Sequence, residues 1–142
     1  MADTWGRRFF MTGAIVLISL GLVHSLSLFE KLTPANDTER QLLDLMVTYK
    51  FNLIGSMRSM DDLLRGFSIT FMVSAIGLGV LDLVLYGERA GLLKRLALIN
   101  TLWLAAMTAV SLRYFFAAPT SFLVVALLFF ALAWLKLPDL AS

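Results

Sequence analysis

The sequence predicts an all-α protein: a four-helix transmembrane bundle with an amphipathic interfacial helix between spans one and two. Of its 142 residues, 59% are hydrophobic and only 15% are charged, and the mean hydropathy is +0.82. A soluble domain is about half apolar and about a quarter charged. Four long apolar stretches, each sufficient to cross about 30 Å of hydrocarbon, are separated by short polar segments. We therefore interpret residues 1–142 as a single membrane domain.

The four predicted spans cover residues 9–29, 67–86, 96–116 and 119–136. The first resembles the hydrophobic core of a signal peptide, but it is long for one, so we interpret it as a retained span. Pro119 suits the start of the fourth, since a helix tolerates proline in its first turn. Asp82 is the one charged residue within the second span, and we expect it to pair with Arg89 or to reach the lipid headgroups.

The amphipathic helix is predicted over residues 38–60. Asn36 followed three residues later by Glu39 is typical of a helix start. Beyond it, apolar side chains recur at helical spacing: Leu42, Met46, Tyr49, Leu53 and Met57. Such a helix is expected to lie on the membrane surface or to extend the second span, with Gly55 and Gly66 as candidate bends.

Four spans place both termini on the same side of the membrane. The two sides carry equal numbers of Lys and Arg, but those on the terminal side lie in short, compact segments. Those on the opposite side are spread along a long loop and offset by acidic residues. Because the positive-inside rule weights compact basic loops, we expect both termini to be cytoplasmic.

A charged cluster, residues 58–65, lies in front of the second span. On a helix, Arg58 would precede Asp61 and Asp62 by one turn, and Arg65 would follow them by one turn. Charged groups at the mouth of a membrane span are costly unless they are paired, which indicates a site. A salt ladder that only anchors the helix end explains the same pattern, and that alternative stays open.

Antiparallel threading brings two further polar features to the face that holds this cluster, namely His24 late in the first span and Arg113-Tyr114 after the third. The candidate ligand-binding residues are His24, Arg58, Asp61, Asp62, Arg65, Arg113 and Tyr114. His24 and Asp62 are the catalytic candidates, as a proton carrier or general base. Structural roles stay open as alternatives, in which His24 only holds helices together, Arg113 snorkels to the interface and Tyr114 belongs to the aromatic belt. The sequence leaves open whether the protein is an enzyme.

Small and polar residues at helical spacing predict which helix faces meet. One stripe on the second span is Asp62, Gly66, Thr70 and Ser74, and one on the third is Asn100, Trp103, Met107, Ser111 and Tyr114. Such stripes normally face neighbouring helices, so we expect Asp62, rather than Asp61, to point inward. The fourth span is almost entirely apolar and is expected to face lipid. The predicted interior is a polar pocket enclosed by the first three spans.

Composition excludes several kinds of site. The chain contains no Cys and a single His, which excludes disulfides, thiol catalysis and Cys-based zinc sites. Neither a metal site nor a cofactor is indicated. The net charge is only +2 and there is no basic tract, so nucleic acid is not an expected partner.

The order of the short motifs resembles that in a group of small, uncharacterised bacterial four-span membrane proteins. The shared features are a His late in helix one, Arg-Ser before Gly-Phe at helix two, and Tyr-Phe-Phe-x-x-Pro after helix three. In this chain they are His24, Arg58-Ser59, Gly66-Phe67 and residues 114–119. Many relatives carry Gly before the His, where this chain has Val23. The resemblance implies the fold, the site and a location in the bacterial cytoplasmic (inner) membrane, but no reaction.

Two functions follow as hypotheses. In the first, the polar-capped pocket near the outer face binds a small amphiphile, such as a lipid, a quinone or a sterol-like molecule. In the second, the protein is a non-catalytic accessory subunit of a larger membrane complex and docks through its fourth span and the Leu42–Met57 stripe. Surrounding lipids are partners in both cases, and a homo-oligomer is also compatible with the sequence.

Overall fold

The computed structural model describes residues 2–30 and 32–139. In chain order, the elements within them are α1 (Ala2–Leu26), α2 (Asp37–Thr48), β1 (Lys50–Leu53), β2 (Ser56–Ser59), α3 (Met60–Leu85), α4 (Ala90–Tyr114) and α5 (Ala117–Lys136). Four of the helices, α1, α3, α4 and α5, are long and apolar enough to cross a membrane. The predicted all-α fold with four membrane-length helices is therefore confirmed, and the chain is a multi-pass membrane protein.

The first three membrane helices begin well before the predicted spans. Thus α3 begins at Met60 and α4 at Ala90, whereas the apolar stretches begin at residues 67 and 96. Hydropathy identifies the hydrocarbon-crossing part of a helix, but a helix continues into the polar interface until a cap ends it.

The helix predicted over residues 38–60 is only half correct. Its start is confirmed, because the Asn36 side chain accepts a hydrogen bond from the Glu39 backbone N–H at 2.9 Å. The helix ends at Thr48, however, and residues 50–59 form an antiparallel β-hairpin. The apolar spacing that suggested one continuous helix through Met57 was therefore wrong beyond Tyr49.

The turn of this hairpin explains why the helix does not continue. Leu53 pairs with Ser56, and the two turn residues, Ile54 and Gly55, have φ angles of 49° and 87°. Two successive positive φ values are typical of the type I′ turn that joins two-residue hairpins. The Asn52 side chain accepts a hydrogen bond from the Gly55 N–H at 2.8 Å, which favours the turn over a helix. The predicted bend at Gly55 is confirmed, whereas Gly66, the other candidate bend, lies within helix α3.

The inner helices of the bundle are α1 and α5. Helix α1 packs along both α3 and α5, and α5 also packs along α4. Close approach is made where glycines remove side-chain bulk: Gly79 of α3 lies against Ala14 and Ile18, and Gly13 of α1 lies against Phe130. Phe10 and Phe130, both fully buried, meet edge to face with ring centroids 5.4 Å apart. Small residues that allow such approach are the main means of helix association in lipid.

Two predictions about helix packing are overturned by this arrangement. Helix α5 does not simply face lipid, because Leu123, Ala126, Phe130 and Ala133 are buried against its neighbours. Within the described residues, α3 and α4 hardly touch along their lengths, so the first three spans do not enclose a pocket. An all-apolar sequence is equally suited to lipid and to a helix interface, and α5 packs on α1 where Gly13 leaves room for Phe130.

Neighbouring helices run in opposite directions, which gives the bundle two distinct ends. At the end that contains the N-terminus, Arg7 donates hydrogen bonds to the carbonyl oxygens of Tyr86 and Glu88, both at 2.9 Å. Lys94 forms an ion pair with Asp139 at 2.9 Å on the same end. The opposite end carries α2 and the hairpin, and we call it the hairpin face.

Candidate functional site

The hairpin face contains every residue that the sequence analysis proposed for a site. His24 lies near the end of α1, residues 58–65 lie where α3 begins, and Arg113 and Tyr114 lie at the end of α4. The alternation of helix directions places these three helix ends on one side of the bundle. The side-chain contacts, however, divide the residues into separate groups.

Asp62 is part of the cap of α3. The Asp62 N–H donates to the Ser59 hydroxyl at 3.1 Å, and the Ser59 N–H donates to an Asp62 carboxylate oxygen at 2.9 Å. This reciprocal pair is a capping box, which satisfies two backbone groups that the first helical turn leaves free. The expectation that Asp62 points into the bundle is wrong: Asp62 is exposed, because its carboxylate turns back toward the helix start.

The expected charge ladder forms only in part. Asp61 and Arg65 are one turn apart on α3 and make an ion pair at 2.7 Å. Arg58 lies in strand β2 rather than on the helix, and within the described residues its guanidinium donates one hydrogen bond, to the Met57 carbonyl at 3.2 Å. Arg58 is exposed and makes no ion pair among the described residues, whereas Asp61, Asp62 and Arg65 are engaged in anchoring the helix end.

An open groove of about 440 Å³ lies along the first turns of α3. Its lining residues are Arg58, Asp62, Leu63, Gly66, Phe67 and Thr70. Arg58 and Asp62 lie at the end next to the hairpin, Leu63 and Phe67 supply the apolar part of the lining, and the Thr70 hydroxyl lies at the far end. Gly66 forms the floor, and a Cβ at this position would meet no atom within 4 Å.

This groove also corrects the predicted orientation of α3. The stripe Asp62, Gly66, Thr70 and Ser74 is exposed and does not face a neighbouring helix. Instead, Ala75, Gly79 and Asp82 are the buried residues of α3. Both faces contain small residues at helical spacing, but a Cβ at Gly79 would lie 2.7 Å from the Ala14 carbonyl oxygen, whereas one at Gly66 would meet no atom within 4 Å.

His24 lies next to the groove but does not line it. Its imidazole meets the Phe71 ring edge to face at 5.0 Å, and Phe71 is one helical turn beyond Phe67 of the groove wall. The Nε2 atom is buried and has no hydrogen-bond partner among residues 2–30 and 32–139. A buried polar atom of this kind is usually paired, so His24 can accept or donate a further hydrogen bond.

Arg113 and Tyr114 form a third, separate group. The Arg113 guanidinium lies 5.7 Å from the centroid of the Tyr114 ring, and the Tyr114 side chain is 75% exposed. Arg113 is a cation over an aromatic face, and both residues lie at the end of a membrane span. This arrangement favours the alternative in which Arg113 snorkels and Tyr114 belongs to the aromatic belt. The remaining residues of the α4 stripe, from Asn100 to Ser111, are buried or packed against the core.

The most buried polar contact in the bundle was not predicted. Asp82 is only 2% exposed and accepts a hydrogen bond at 2.9 Å from the side-chain amide of Asn100, which is 3% exposed. The expected pairing of Asp82 with Arg89 or headgroups is wrong, because Asp82 lies on the buried face of α3 with Ala75 and Gly79. The available signal was the presence of a carboxyl in one apolar span and an amide in the next.

Comparison with known proteins identifies no relatives. No family model matches the chain, and no curated protein or solved structure is significantly similar to it.

Proposed function

We propose that the protein holds a small membrane amphiphile in the α3 groove, with the head of the molecule beside Arg58 and its apolar part along Phe67. The supporting observation is the mixed lining of the groove, which places the charged Arg58 and Asp62 at the hairpin end beside the apolar Leu63 and Phe67. A lipid, a quinone and a sterol-like molecule share this polarity. In this proposal the protein resides in the bacterial cytoplasmic membrane with cytoplasmic termini, so that the groove opens toward the outer leaflet.

Arg58 is the residue best placed to select the head. A guanidinium binds phosphate and carboxylate groups through paired N–H donors, and it also donates to carbonyl oxygens. Asp62 and Asp61 are occupied by the cap and the ion pair, so they set the local charge rather than bind the head. Contacts from His24 and Tyr114, and proton transfer by His24 or Asp62, stay predictions, since neither His24 nor Tyr114 lines the groove.

Filling the groove should prevent the amphiphile from being retained. Gly66→Leu places a bulky side chain on the groove floor, where the structure has open space, so the bundle should fold normally. We expect at least a tenfold loss of co-purifying amphiphile per protein, equivalent to about 1.4 kcal/mol of binding free energy. The measurement is native mass spectrometry of protein extracted from its own membrane, followed by lipid analysis.

Gly77→Leu is the matched control, because Gly77 is on the same helix and a Cβ there also meets no atom within 4 Å. It should retain the amphiphile at the wild-type level. Equal retention by Gly66→Leu and the wild type would contradict the proposal. Recovery of a stoichiometric large complex without a bound amphiphile would support the accessory-subunit alternative instead.

Removing the groove cation should weaken binding without blocking it. For Arg58→Gln we expect about a tenfold to hundredfold loss of retained amphiphile, because a hydrogen bond to a charged group contributes about 1.5–3 kcal/mol. Arg40→Gln removes the same charge from exposed α2 on the same face and should have little effect. If both variants lost the amphiphile equally, general surface charge would be responsible rather than the groove.

A further inference from the structure

The tip of the hairpin carries an apolar residue in an unfavourable conformation. Ile54 is fully exposed, at 106% relative accessibility, and has a φ angle of 49°. The left-handed region is disfavoured for residues with a Cβ, and a β-branched residue there is an outlier. Both the backbone conformation and the exposed side chain are therefore unfavourable in water.

The requirements of the turn do not explain this choice of residue. Type I′ turns favour Asn-Gly, because Asn tolerates positive φ. Gly55 already occupies the second turn position, and Asn52 already bonds the Gly55 N–H. Strained residues that the fold does not need are concentrated at functional positions. An exposed Ile at this position therefore indicates that an apolar environment outside the chain surrounds the tip of the hairpin.

The surroundings of the hairpin identify that environment as the lipid bilayer. Strand β2 continues directly into α3, whose first turns expose Met60, Leu64 and Phe67. This exposed apolar surface belongs to a helix of membrane length, so the hairpin is joined to the membrane-facing surface without a linker. Lys50, which pairs with Ser59 at the base of the hairpin, suits the phosphates of lipid headgroups.

We propose that the hairpin of residues 50–59 is a membrane anchor that inserts Ile54 into the leaflet on the hairpin face. The anchor holds the start of α3 at a fixed depth, independently of any amphiphile in the groove. The hairpin binds the bilayer, through its apolar tip in the hydrocarbon and its positively charged base at the headgroups.

The substitution Ile54→Asn tests the anchor without weakening the turn. The chain has no native Cys, so Ser56→Cys gives a single site for a nitroxide label next to the tip. In vesicles of phosphatidylcholine and phosphatidylglycerol, the label should collide mainly with oxygen, which partitions into lipid. In the Ile54→Asn background, it should collide severalfold more with a water-soluble nickel chelate.

Two controls separate loss of the anchor from loss of the fold. Amide exchange in the two strands should be unchanged or slower in Ile54→Asn, because Asn-Gly suits the turn. Val47→Asn removes an exposed apolar side chain of α2, outside the hairpin, and should leave the label in lipid. The proposal would be overturned if the label collided mainly with the nickel chelate while Ile54 is present. It would also be overturned if neither oxygen nor the chelate reached the label, because that result would indicate that a protein covers the hairpin.

Discussion

Gly79→Leu is expected to separate α1 from α3 and to prevent the bundle from folding stably. A Cβ at Gly79 would lie 2.7 Å from the Ala14 carbonyl oxygen and 2.7 Å from Ile18 Cγ1. A backbone oxygen cannot move aside as a flexible side chain can, so the helices must move apart. Even an added methyl group in a packed interface costs about 1–3 kcal/mol, and Leu at this position should cost more.

The free energy of unfolding, measured by titration with a denaturing detergent from mild micelles, tests this result. Gly79→Ala should be intermediate between the wild type and Gly79→Leu. Gly77→Leu adds the same bulk two residues away, on a face of α3 with open space, and its stability should match that of the wild type. Equal stabilities for Gly79→Leu and Gly77→Leu would show that the α1–α3 contact is not close.

Asn100→Leu is expected to cost about 1–3 kcal/mol of unfolding free energy, because it leaves a buried carboxyl without its donor. The Asp82 carboxyl and the Asn100 amide are both almost completely buried and bond each other at 2.9 Å. In hydrocarbon, water is not available to replace the lost partner. The contact also joins α3 to α4, which otherwise hardly touch within the described residues.

A double-mutant cycle separates the contact from its two members. Asp82→Leu alone leaves the amide unsatisfied and should also destabilise the bundle. The double variant Asp82→Leu/Asn100→Leu removes both polar groups and should recover most of the loss, since replacing both partners by apolar groups can be nearly neutral. Additive losses in the double variant would mean that the two side chains act independently.

The candidate site shows how far helix periodicity can be used. The local sequence correctly predicted the helix start at Asn36, because a helix cap depends on two residues three positions apart. It did not separate helix from hairpin at residues 50–59, since apolar residues spaced for a helix can also alternate along strands that meet at a turn. It also wrongly placed Asp62 in the interior, because the capping box that engages Asp62 depends on Ser59 being the last residue of a strand.

By itself, the sequence determined that the chain has four membrane-length helices and that His24, the residue 58–65 cluster and Arg113-Tyr114 share one face. These properties follow from the free energy of transfer to hydrocarbon and from the alternation of spans, both of which are local in the chain. The tertiary structure decided the rotation of α3, the inner position of α5 and the Asp82–Asn100 contact. Hydropathy assigns Gly66 and Gly79 the same value, and only the close approach of Ala14 and Ile18 distinguishes the buried glycine from the one that forms the groove floor.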